Sequence, residues 1–90
     1  MNIATIEMPF DELTAMEIRD KKRDGRIMTR DGFSVRILAM DAKSTYPIVG
    51  LVDLGEQEYT RMWTNEGKAD FRRHVKSNYD LHIEIDQWEQ

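Results

Sequence analysis

Ninety residues without cysteine, with 13 Lys and Arg against 17 Asp and Glu for a net charge of −4, exclude many protein classes at once. The length suits one domain with one small core, and the missing thiols remove disulfides, thiolate nucleophiles, iron–sulfur clusters and Cys-based zinc sites. No run of 18 apolar residues marks a membrane span, the segment from Met1 to Ala4 lacks the pattern of a secretory signal, and the acid excess argues against duplex nucleic acid as a partner. The expectation is a single domain over residues 1–90, in the cytoplasm.

In chain order, residues 1–9 read as an extended lead-in whose alternation is too short to fix a buried face. Pro9 to Ile18 reads as a short helix. Pro9 suits a first turn, and Asp11 and Glu12 suit the positive end of the helix dipole. Phe10, Leu13, Met16 and Ile18 would form its apolar stripe. Arg19 to Arg26 then carries five basic and two acidic residues. It reads as a solvated helix end with Gly25 as a stop or turn; a phosphate-binding patch is the alternative.

Arg26 to Arg30 and Phe33 to Met40 flank Asp31-Gly32, a spacing that predicts a two-residue type I′ hairpin. Phe33, Val35, Ile37 and Ala39 would share one face. Tyr46 to Asp53 is the next strand, with Pro47 at its start or on an edge. Gly50 marks a bend or a close approach in that strand. Glu58 to Thr64 follows, with Tyr59, Arg61 and Trp63 on one side. Residues 69–78 read either as a short helical turn or as a loop. Leu81, Ile83 and Ile85 alternate with His82, Glu84 and Asp86, which predicts a half-buried terminal strand whose acids discourage edge pairing. The fold class is α+β, mostly β. One short N-terminal helix would pack on a strongly bent antiparallel sheet or small barrel of about four or five strands.

Catalytic patterns are missing from the sequence. The two histidines, His74 and His82, stand in no HExxH frame, and no serine stands in G-x-S-x-G. Glycine-rich phosphate loops are missing too. Asp80, His82 and Glu84 would form at most a two-ligand arrangement; an exposed polar edge is the simpler reading. The expectation is therefore no enzyme, no cofactor and no metal. Arg30, Arg36, Arg61 and Lys68, with Tyr46, Tyr59 and Trp63, fall on or beside the central strands. Guanidinium groups next to aromatic faces can grip phosphate and stack a base.

The segments Pro9-Phe10-Asp11, Met28-Thr29-Arg30-Asp31-Gly32, Val35-Arg36-Ile37-Leu38, Asp41-Ala42-Lys43, Tyr46-Pro47-Ile48-Val49, Asn65-Glu66-Gly67-Lys68 and Asp80-Leu81 together resemble a set of small uncharacterised proteins. That set belongs to tailed phages and to mobile elements of gut bacteria. The resemblance spans nearly the whole chain, and its most specific parts are Thr29 to Gly32, Val35 to Ile37 and Tyr46 to Ile48. It implies origin and context, with the host cytoplasm as the location, rather than a mechanism. The chain departs from that set between helix and hairpin, where Arg19 to Arg26 replaces a short Gly-containing link. The order of short helix, Arg-bearing hairpin and bent sheet is similar in layout to small phage proteins that sequester nucleotide-derived immune signals. The resulting expectation is a non-catalytic counter-defence binding protein, holding a nucleotide-like small molecule with Arg30, Arg36, Tyr46, Arg61, Trp63 and Lys68. The alternative is a module that binds and inhibits a host or phage protein through an acidic face or sheet edge. Small size makes a homo-oligomer a further expectation.

Overall fold

The structure, a computed structural model, describes residues 3–88. Its elements are β1 (Ile3–Pro9), α1 (Glu12–Arg19), β2 (Gly25–Thr29), β3 (Ser34–Ala39), β4 (Ile48–Asp53), β5 (Glu58–Trp63) and β6 (Leu81–Trp88). All six strands form one antiparallel sheet in the order β1-β6-β2-β3-β4-β5. The mostly-β α+β class is as expected. The barrel alternative is not: β1 and β5 are separate edges, so the sheet stays open. The additional strand is the lead-in segment, which pairs with β6 from Ile3 opposite Trp88 to Pro9 opposite His82.

The position of β6 is the main correction to the sequence reading. It lies inside the sheet, between β1 and β2, rather than at an edge. Leu81, Ile83 and Ile85 are all buried, and ladders on both sides satisfy the backbone. Glu84 and Asp86 do not guard an open edge. Both accept hydrogen bonds from Arg26 on β2, Glu84 at 3.0 Å and Asp86 at 2.7 and 3.1 Å. Because β1 and β2 each run antiparallel to β6, they run parallel to each other, and α1 is the crossover between them. From β2 to β5 the sheet is a meander.

Asp11 starts the helix. Its carboxylate accepts the Thr14 backbone N–H at 2.9 Å and the Thr14 hydroxyl at 2.8 Å, which is an N-cap. Pro9 therefore ends β1 instead of opening α1. The cap also sets the helix phase. Thr14 and Ala15 are buried and Ile18 packs on the core, whereas Leu13 is 71% exposed and Met16 38%. Of the expected stripe, Phe10 and Ile18 pack on the core while Leu13 and Met16 face outward, and the small Ala15 meets the sheet.

The first hairpin also differs from its expected form. Thr29 donates its N–H to the Phe33 carbonyl at 2.8 Å, and its hydroxyl accepts the Phe33 N–H at 3.1 Å. These bonds close a three-residue loop, Arg30-Asp31-Gly32. Only Gly32 takes positive φ there, at 92°, so the turn is not type I′. Further along, Ile37 lies opposite Gly50 and Ala39 opposite Val49, so Leu38 is the extra residue of a bulge. Ala39 consequently leaves the face that Val35 and Ile37 share.

Gly50 is a close approach, one of the two options its sequence left open. A Cβ there would lie 2.6 Å from the Arg36 carbonyl and 3.2 Å from the Trp63 ring. Trp63 covers it and is fully buried with Ile48, Ile83 and Val52. Residues 64–80 form a loop without helix. The Trp63 indole donates to the Tyr79 carbonyl at 2.7 Å, and Asp80 accepts the N–H groups of Ala69 and Ser77. Among the described residues no helix is long and apolar enough to cross a membrane.

Candidate functional site

Strand parity decides where the cationic side chains go. Antiparallel partners point to the same face. Trp63 is in the core, so Arg61 and Tyr59, two and four residues earlier on β5, project from the core face. Arg36 lies between Val35 and Ile37, which are buried, so it projects from the opposite, open face. There it binds Glu58 with two hydrogen bonds, at 2.8 and 2.7 Å. Hydrogen bonding from Arg36 holds the Glu58 carboxyl below its ordinary pKa. Arg36 is therefore committed to an intramolecular pair.

The remaining predicted residues divide among separate places. Trp63 is core and offers no face to a ligand. The Tyr46 hydroxyl accepts the Phe71 N–H at 3.3 Å, an anchor for the long loop. Arg30 and Lys68 share a broad cleft of about 680 Å³ with Lys76, Asp80, His82 and Glu7. Lys68 lies 3.7 Å from Asp80 in that cleft. His82 Nε2 is 3.6 Å from Glu7 and 3.8 Å from Glu84. Two acids, Glu7 and Asp80, stand among its three cations Arg30, Lys68 and Lys76, and Asp80 pairs with Lys68. Among the described residues no group of three or more His, Asp or Glu is placed to hold a metal.

Arg61 has a different setting. Its guanidinium carbon lies 3.5 Å from the centroid of the Tyr79 ring, a stacked cation–aromatic contact. No carboxylate pairs with it among the described residues. Phe33, Tyr59, Val52 and Leu54 complete a cleft of about 280 Å³ around this pair. The cleft has a physical origin. Val52 faces Tyr59 across the β4–β5 ladder, while the loop anchored by the Trp63 indole brings Tyr79 over Arg61. The result is three aromatic rings, two apolar side chains and one uncommitted guanidinium.

Sequence reasoning found Arg61 here and noted Tyr59, but missed Phe33 and Tyr79. Tyr79 sits in a loop, where periodicity carries no signal. Its only mark in the sequence is an aromatic residue just ahead of a strand. No protein-family model matches the chain, nor does any curated protein or solved structure.

Proposed function

We propose that the protein is a non-catalytic binding protein whose ligand is flat, aromatic and anionic, of nucleotide type. One observation carries this reading: the unpaired Arg61 guanidinium stacked on Tyr79 within a cleft also lined by Tyr59 and Phe33. A ring inserted among these residues gains stacking on several faces, and the guanidinium edge remains available to phosphate. The cleft volume sets the size. At about 280 Å³ it lies near the lower bound for small-molecule sites, so it takes one base-sized ring and leaves phosphates at the mouth. A counter-defence role, sequestering a nucleotide-derived signal for a phage or mobile element, is the biological form of this proposal. It rests on the sequence resemblance.

The alternative acidic docking face draws less support. Glu84 and Asp86 are engaged by Arg26, and Glu58 by Arg36. Calorimetry with nucleoside monophosphates, cyclic dinucleotides and ADP-ribose tests the proposal. At least one should bind, and Arg61→Ala or Tyr79→Leu should weaken it by about tenfold or more, the loss of one good stacking or charge-assisted contact. Chromatography should recover the ligand unchanged. Absence of binding by every compound at millimolar concentration overturns the proposal.

A further inference from the structure

We propose that β5 is the pairing edge of a homodimer, in which a second copy of this chain joins antiparallel and continues the sheet. The strand is the last in the sheet order and hydrogen-bonds to β4 alone. Residues 58–62 are all exposed, Tyr59 at 51% and Met62 at 42%. Protected edges usually carry Lys, Pro or a bulge. Glu58-Tyr59-Thr60-Arg61-Met62-Trp63 has neither residue, its two charges are engaged within the chain, Glu58 by Arg36 and Arg61 on the Tyr79 ring, and its register with β4 is unbroken from Asp53 opposite Glu58 to Ile48 opposite Trp63. The other edge, β1, ends in Pro9, which has no donor.

The hydrogen-bond phase of β5 fixes which groups are free. Leu54 donates its N–H to the Gln57 carbonyl at 2.9 Å and closes the β4–β5 hairpin. Hydrogen-bonded pairs then alternate along the ladder, so Tyr59, Arg61 and Trp63 bond to β4. Glu58, Thr60 and Met62 aim both N–H and C=O away from the sheet. A two-fold partner strand must place outward groups opposite outward groups and keep matching faces together. Centring on Thr60 pairs Glu58 with the partner's Met62, Thr60 with the partner's Thr60, and Met62 with the partner's Glu58. That gives three hydrogen-bonded residue pairs, two bonds each. Centring one residue away on either side keeps only two such pairs.

The side chains select the same register. With Thr60 at the axis, each Arg61 lies opposite the partner's Tyr59 on the core face, a cation beside an aromatic ring. On the open face Thr60 meets its own copy, a favourable cross-strand pair. Centring on Arg61 instead would set two guanidinium groups directly opposite each other, which is destabilising. Thr60 is then the residue that faces itself across the seam.

The chain has no cysteine, so a single introduced thiol reports its own neighbour. Thr60→Cys should form a disulfide-linked dimer under mild oxidation, because hydrogen-bonded antiparallel pairs hold Cα atoms about 5.5 Å apart, within disulfide reach. Leu13→Cys, on the exposed side of α1 and away from the seam, should give no disulfide-linked dimer on a denaturing gel under the same oxidation. In sedimentation velocity the unmodified chain should run at twice its monomer mass. Thr60→Pro should abolish that species while leaving the circular dichroism spectrum intact, since the Thr60 N–H does not serve the β4 ladder. Thr60→Lys is the second test should the proline unfold the strand, and it too should yield a monomer. An unmodified chain that stays monomeric up to millimolar concentration overturns the proposal, as does a dimer that persists in Thr60→Lys. None of these measurements involves a ligand, so they stand or fall independently of the cleft.

Discussion

At the scale of single residues, several of the charged side chains satisfy one another. Arg26 bridges Glu84 and Asp86, Arg36 grips Glu58, and Arg72 binds Asp70 through two guanidinium bonds. Each arrangement lowers the pKa of a carboxylate. Hydrogen bonds from the Arg72 side chain and backbone bring Asp70 from 3.8 to about 2, and Arg26 lowers Asp86. Asp11 is lowered by the Thr14 N–H it caps. A carboxylate depressed by folding stabilises the folded state in full above its unfolded value and loses that contribution as pH falls through its folded value. Stability should therefore be level from neutral pH down to about 5 and fall between about pH 4 and 2. Urea midpoints across that range measure it. Asp70→Asn should lower the midpoint at pH 7 and converge on the parent near pH 2; a constant offset at every pH would refute the assignment. These pairs also explain why a net charge of −4 says little about the site. Several acids are engaged locally by Arg26, Arg36 and Arg72, whereas Arg61 has no carboxylate partner among the described residues.

At the scale of elements, the strands were legible wherever apolar residues alternate against a buried face. Ile27 and Thr29, Val35 and Ile37, Ile48 and Val52, and Leu81, Ile83 and Ile85 are all buried. The lead-in was not legible, because β1 is an edge strand. Ile6 is 43% exposed and Met8 only half-buried, so the alternation there is faint. The helix was found, with Phe10 and Ile18 rightly inward but Leu13 and Met16 wrongly so. Local spacing favours the large apolar residues Leu13 and Met16, whereas the cap at Asp11 and the short crossover bring Ala15 against the sheet. This has a direct test. Leu13→Ala should change unfolding free energy by less than about 0.5 kcal/mol, as at other exposed sites. Ala15→Leu should cost about 1–3 kcal/mol, because added methylenes have no room at a fully buried position. Denaturant titration separates the two, and a large loss for Leu13→Ala would restore the stripe read from the sequence. The candidate site was legible only in its residue types. Arg36 and Arg61 lie on opposite faces by strand parity, and Tyr79 reaches Arg61 through a loop that no periodic pattern describes.

At the scale of the whole molecule, the sheet depends on its last strand. β6 separates β1 from β2 and pairs with both. The parallel relation of β1 and β2, and hence the need for α1 as a crossover, follows from that insertion. Without β6, β1 would have no partner and α1 would span an empty slot. Leu81, Ile83 and Ile85 would also leave the core. Each buried apolar side chain is worth about 1.5–3 kcal/mol. Three together rival the whole stability expected of a chain this size, roughly 5–13 kcal/mol. A chain truncated after Asp80 should therefore show no cooperative thermal transition by circular dichroism. Adding a peptide of residues 79–90 in excess should restore one, because the slot accepts β6 by backbone pairing on both sides. Had β6 been an edge strand, as its acids suggested, the truncated chain would keep a destabilised but cooperative melt. That outcome would contradict the insertion, and it would leave the crossover helix without a structural reason.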